Sequence, residues 1–225
     1  MTEAALDLDL FWSFRSPYSY LAMPRLVELA RDYAMEVHVR PVYPIAVRIP
    51  GFFKSVNPLW PPYVMRDTQR LAAFLDIPYQ WPQPDPIVMD MASGEVPKAQ
   101  PYIHRLTRLG TLAAERGRGL PFIAEVGHLL FGSGIAGWHE GDHLAAAVGR
   151  AGLDLAEMDT VIVAEEARLE EAIAANETAQ KKAGHWGVPL MVFRGEPFFG
   201  QDRIELLLWR MRQAGLQPRE AAPVT

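Results

Sequence analysis

The sequence predicts an α/β fold: a mixed four-stranded sheet shared between the two ends of the chain, with a large α-helical insertion between them. Three observations carry this. Residues 6–14 alternate apolar and polar, with Leu6, Leu8, Leu10, Trp12 and Phe14 on one face, which is the period of a strand. Near the other end, the apolar runs 189–193 and 196–199 flank Arg194-Gly195, the pattern of a hairpin. Helical text fills most of the space between, and no internal repeat interrupts it.

The whole chain bounds the answer before any element is placed. Its 225 residues are enough to bury a proper core. The net charge of -5 argues against nucleic-acid binding, which usually needs a basic patch. No apolar run approaches the roughly 20 residues of a membrane span, and Met1-Thr2-Glu3-Ala4 lacks the pattern of a signal peptide. A cytoplasmic protein is therefore expected. Cysteine is absent, which removes disulfides, thiolate metal sites and cysteine nucleophiles together.

In chain order, the first strand runs straight into Ser16, a good N-cap, and Pro17, suited to a helix's first turn. That junction aims free backbone N–H groups and a positive dipole end at whatever sits there, a place to hold an anion or thiolate. Ser16 is then either a cap only or a cap that also does chemistry. The first helix is expected over 17–33, burying Leu21, Leu26, Leu29 and Tyr33, with a kink at Pro24. Residues 36–42 alternate again and give a second strand, parallel to the first because a helix joins them.

From 43 to 101 the text is rich in proline, and only 63–75 reads as a helix, with Met65, Leu71, Ala72 and Leu75 on its apolar face. Long irregular segments are often functional, and residues 48–60 combine cations, an amide and aromatics. The plainer reading of that stretch is a solvated connector. Further helices are expected at 102–116, 122–131, 143–150 and 164–183. After the hairpin, a last helix over 203–214 takes Asp202 as N-cap, and the tail after Gly215 is expected to fray. The domains follow: 1–58 with 178–225 around the sheet, and 59–177 as the helical insertion.

One motif is misleading. Residues 139–143 spell H-E-x-x-H, whose histidines in a zinc hydrolase share one helix face. Gly141 interrupts the run, and Asp142 caps a helix starting at His143, which leaves His139 outside it. No metal site is expected. The remaining histidines, His38, His104, His128 and His185, show no ligand spacing.

Phe14-Arg15-Ser16-Pro17-Tyr18-Ser19-Tyr20-Leu21, Trp186-Gly187-Val188-Pro189 and Phe198-Phe199-Gly200-Gln201-Asp202-Arg203 together resemble a known group. It is the thioredoxin-like fold with a helical insertion: DsbA-like oxidoreductases, kappa-class glutathione transferases and 2-hydroxychromene-2-carboxylate isomerases. A DsbA-like oxidoreductase needs C-x-x-C where this chain has Ser16-Pro17-Tyr18-Ser19, because one thiolate attacks and the second resolves the mixed disulfide. Serine cannot perform that exchange. Relatives with serine there use glutathione, and the isomerase is the nearest of them.

The resemblance implies roles residue by residue. Ser16 donates a hydrogen bond to the glutathione thiolate; lowering a thiol pKa of about 8.5 by one or two units raises its reactive fraction severalfold near neutral pH. Tyr18 and Ser19 offer the nearest backbone donors. Val188 and Pro189 match the cis-proline loop, whose backbone pairs with glutathione like an added strand. Asp202 and Gln201 hold the γ-glutamyl end, and Asn57 binds glutathione too. The chain departs from the pattern after Asn57, where a longer loop ending in a lysine is usual; Lys54 and Arg48 are the substitutes. On the substrate side stand Phe53, Trp60 and Tyr63, with Arg48 or Lys54 meeting the carboxylate of a small aromatic substrate.

The implied activity is glutathione-dependent opening of 2-hydroxychromene-2-carboxylate to trans-o-hydroxybenzylidenepyruvate, a step of aromatic catabolism. Two alternatives stay open: a kappa-type transferase or peroxidase with a different acceptor, and a cysteine-free DsbA-like binding protein without turnover. Relatives are often homodimers, so a homodimer is expected.

Overall fold

The computed structural model describes residues 5–90 and 94–219. Residues 1–4, on which the signal-peptide reading rests, lie outside that range. Strand β1 (Leu6–Trp12) feeds helix α1 (Pro17–Asp32), which returns to strand β2 (Met35–Pro41). The hairpin is β3 (Leu190–Phe193) and β4 (Glu196–Phe199), and the sheet order is β2-β1-β3-β4. β1 is parallel to β2 and antiparallel to β3, so the two ends of the chain meet along one central strand.

Alternation explains the layering. Leu8, Leu10, Trp12 and Phe14 are all fully buried in the main core with Leu21, Leu26 and Phe122. On the opposite face Asp7 and Asp9 reach His38 and Arg40 of β2 at 2.8 and 2.7 Å. Glu36 joins Asp7 and His38 there, a cross-strand cluster that spacing along the chain could not show. At the Phe11 end of that face, Phe11, Val42 and Leu190 form a second small cluster.

Between β2 and β3 lie helices α2 (Ile45–Arg48), α3 (Phe52–Ser55), α4 (Trp60–Phe74), α5 (Ile103–Glu115), α6 (Gly119–Phe131), α7 (His143–Arg150), α8 (Leu155–Ala164) and α9 (Glu166–Lys182). The main core runs without a break from the sheet into α5–α9. Glycine lets α5 approach closely: a Cβ at Gly110 would lie 2.7 Å from the Phe14 ring. Among the described residues no helix is long and apolar enough to cross a membrane.

Several expectations change. Residues 48–60 are not wholly irregular: α2 ends at Arg48, α3 takes Phe52–Ser55, and α4 begins at Trp60. α4 buries Thr68 and Ala72, while Met65 is exposed. α8 was not expected, although Asp154 and Glu157 stand in the spacing of a capping box and the Asp154 side chain accepts from the Glu157 N–H. His139 lies before α7, as its spacing from Asp142 requires, with its ring against Tyr102 and Trp138. Residues 216–219 do not fray: Leu216 is buried, and Arg219 bonds Asp32, Ala30 and Met35 carbonyls. Residues 220–225, the rest of that tail, lie outside the described range.

Candidate active site

The site begins at the β1–α1 turn. Ser16 is the N-cap of α1 in an extended conformation, and Pro17 takes the first helical position. Its Oγ accepts the Ser19 N–H at 3.2 Å and donates to the Val188 carbonyl at 3.3 Å. Capping and contact with the opposite wall are thus one arrangement. The Ser19 N–H, expected to be open, is spent on Ser16, which leaves Tyr18 N–H as the nearer donor of that turn. The Ser19 hydroxyl is fully buried with no partner among the described residues. Pro24 lies within α1 as expected.

Val188-Pro189 is a cis peptide. The Pro189 carbonyl accepts the Gly200 N–H at 2.9 Å, which joins this loop to the end of β4. Gly200 has φ 100°, and a Cβ on it would meet Asp202 Oδ1 at 2.6 Å, so only glycine fits there. A 3-10 turn, Gln201–Arg203, then leads into helix α10 (Ile204–Gln213). Contrary to expectation, Asp202 does not cap the last helix; Arg203 holds that position and its guanidinium donates to Asp202 at 2.7 Å. Gln201 accepts from Arg25, whose guanidinium is lowered in pKa by burial despite Glu205 and Asp202 nearby.

The other wall comes from α2, α3 and the start of α4. Phe52 makes edge contacts with Phe53, Trp60 and Trp186, so an aromatic wall stands two residues from Val188. Trp60 and Tyr63 are 41% and 52% exposed, open to a ligand. The Tyr63 hydroxyl donates to Asp67 at 3.2 Å, and Tyr18 donates to the same carboxylate at 2.8 Å. Burial, then Asp67, push the Tyr18 phenol far above its ordinary pKa, so it stays a donor.

The candidate cations are otherwise engaged. Arg48 donates to Gln180 and to the Trp186 carbonyl, both at 2.9 Å, and burial lowers its pKa. It ties α2 to α9 and to the loop before Val188. Lys54 pairs with Glu95 at the surface. Asn57 is exposed, and its side chain accepts from the Leu59 N–H at 3.0 Å, opening α4.

Sequence reasoning missed Arg15. Its guanidinium grips Asp85 with two bonds of 2.8 Å and lies 5.6 Å from the Phe53 ring centre and 5.3 Å from that of Trp81. Two distant segments, at Phe53 and at Trp81–Asp85, converge on the residue before Ser16. A cation directly next to the capped serine was the available signal.

Two grooves lie away from this cleft. One of about 400 Å³ follows β2 beside α5 and α9, and one of about 480 Å³ lies at Pro24 of α1, beside Leu75 and His128. Neither is lined by Ser16 or Val188.

The DSBA-like thioredoxin domain profile matches residues 7–212. The 2-hydroxychromene-2-carboxylate isomerase of Sphingobium xenophagum is 25% identical over 204 residues, spanning 89% of this chain and 95% of that protein. A solved 2-hydroxychromene-2-carboxylate isomerase superposes with a TM-score of 0.66 at 23% identity, over 93% of this chain and 96% of its own. The cytosolic disulfide reductase DsbM from Pseudomonas aeruginosa gives 0.56 at 18% identity, over 92% and 100%; it has also been solved with GSH.

Proposed function

From the premise that this chain belongs to the DsbA-like thioredoxin domain family, we propose that it is a glutathione-dependent isomerase of the 2-hydroxychromene-2-carboxylate type. The observation that carries the reading is the Ser16 hydroxyl, which caps α1 and faces the Val188 carbonyl in a chain without cysteine. Support also comes from the isomerase relative and from the DsbM structure with GSH.

Glutathione, when bound, would supply a nucleophilic thiolate, the chemistry that opening 2-hydroxychromene-2-carboxylate to trans-o-hydroxybenzylidenepyruvate calls for. The residues of this chain prepare for that. At 3.3 Å the bond from Ser16 to Val188 is at the weak end for a hydroxyl. Turning the same O–H to an anionic sulfur exchanges it for a charge-assisted bond, about twice as strong. The dipole of α1, 16 residues long, favours the anion at that end by about 0.3–1 kcal/mol. The released Val188 carbonyl then accepts an N–H from an extended peptide ligand, as an added strand would. In this reading Phe53, Trp60 and Tyr63 stack the bicyclic aromatic substrate, which the exposure of Trp60 and Tyr63 supports.

The thiol part of the cradle fits these residues better than its two ends, because Lys54 and Arg48, for the glycine carboxylate, and Asp202, for the γ-glutamyl amine, are already paired. Calorimetric titration with glutathione, followed by assay of the chromene substrate, tests the reading. The wild type is expected to bind glutathione with a thiol pKa lowered by one or two units, read from thiolate absorbance. Ser16→Ala is expected to return that pKa toward about 8.5 and to cut kcat by ten- to a hundredfold. Full isomerase activity in Ser16→Ala would remove the serine from the mechanism. Conjugation of other electrophiles with no isomerisation would favour a kappa-type transferase, and no glutathione binding a protein without turnover.

A further inference from the structure

Resting on that reading for the identity of the acceptor, we propose that Arg15 is a carboxylate-binding residue of the cleft and that its preferred ligand is a planar aromatic carboxylate. A guanidinium has two edges that can each offer a pair of parallel N–H donors to a carboxylate. Asp85 occupies the edge formed by Nε and Nη2, with both bonds at 2.8 Å. Nη1 has no partner among the described residues, so the end-on edge keeps its donors for a ligand.

Asp85 does not compete for that edge. Its oxygens also accept the Trp81 indole N–H at 3.1 Å and the Ile87 N–H at 3.0 Å, which fixes the carboxylate on the far side of the guanidinium. The ion pair is held in a partly buried setting, with the Arg15 side chain 13% exposed. There a hydrogen bond to a ligand loses less to water than it would at the surface. Because Asp85 balances the charge, recognition comes from the planar fork rather than from net attraction.

The surroundings select the ligand. Phe53 and Trp81 both stand against the guanidinium, so a flat acid paired with it meets aromatic surface as well as the fork. Arg15 directly precedes Ser16, and Phe53 adjoins Phe52 of the aromatic wall. The group bound at Arg15 and the group activated at Ser16 are therefore near neighbours. Lys54 and Arg48, the cations expected from the sequence, are spent elsewhere. A carboxylate in this cleft has two sources: the aromatic acceptor and the glycine end of glutathione.

Calorimetry with four probes separates them: salicylate, its uncharged amide salicylamide, glutathione, and glutathione glycyl ethyl ester. Wild type is expected to bind salicylate at least about tenfold more tightly than salicylamide. Arg15→Lys keeps a cation for Asp85 and loses the fork, so salicylate should weaken about tenfold while salicylamide and glutathione are unchanged. Arg15→Gln strands Asp85, so its melting curve is read first, and the lysine variant carries the result if it does not fold. Equal binding of salicylate and salicylamide to wild type, or unchanged salicylate binding in Arg15→Lys, overturns the proposal. If glutathione weakens in Arg15→Lys and its ester does not, the aromatic assignment falls and the glycine carboxylate takes its place. Salicylate discrimination without any glutathione binding sinks the isomerase reading and leaves Arg15 standing; the reverse sinks Arg15 and leaves the isomerase.

Discussion

The β1–α1 turn buries what surrounds it, whereas the wall facing it leaves most of its large side chains in solvent. Trp12, Phe14, Ser19 and Leu21 are fully buried around Ser16. Across the cleft Ile49, Leu59, Trp60 and Tyr63 are 46%, 75%, 41% and 52% exposed. The serine is fixed by core packing on a 16-residue helix. The facing wall stands on α2 and α3, of four residues each and too short to be stable by themselves, and on the first turn of α4, and is held by Arg48 and ring contacts. The difference assigns the tasks: the rigid wall sets the reacting geometry, and the wall with little buried area adapts to the ligand.

The largest effect should come from the buried side. Phe14→Ala removes a ring packed edge-on against Trp12 and Phe122 and opposite Gly110. It should cost about 3–5 kcal/mol in denaturant unfolding. A loss under about 1 kcal/mol would mean that the turn is not held by the core, and the contrast would fail.

A smaller effect is expected where the two walls join, at Glu177 of α9. Burial raises its carboxyl pKa above the ordinary 4.5, against the pull of Arg48 and the Tyr43 N–H. As pH rises past 4.5 the unfolded chain releases this proton first while the folded chain keeps it, so stability falls across that window. Glu177→Gln removes the fall. Its melting temperature should match wild type at pH 4 and exceed it by about 2 °C at pH 8; a lower value at pH 8 would show that the charged form is the one stabilised. The smallest effect belongs to Lys54→Ala. That pair with Glu95 is exposed on both sides, and its loss should move stability by less than about 0.5 kcal/mol.

Much of this was legible from the chain. Period-two patterning from Leu6 to Phe14 places β1, and Ser16-Pro17 places the start of α1, because local chemistry decides both. The hairpin at Arg194-Gly195 is equally local, with both residues at positive φ. What stayed hidden depends on partners far along the chain. Asp85 lies 70 residues from Arg15, and Gln180 lies 132 from Arg48, so no spacing rule links them. Asp202 was misplaced because a carboxylate before an apolar run reads as a cap, while a 3-10 turn intervenes. The short helices α2 and α3 carry too few residues for a helical period to register.

The bond from Ser16 to Val188 spans 172 residues of chain, and β1 pairs with β3 across a similar distance. At synthesis rates of about 5–20 residues per second, β1 waits on the order of ten seconds or more with one edge unpaired. During that interval the central strand of the sheet is an edge strand, open to association with other chains. Ser16 can already cap its helix then, since Ser19 is three residues away. The opposing carbonyl arrives only after the whole helical block has emerged. The cap is early and the site is late, so a nascent chain that stalls in the insertion carries the serine without the cleft.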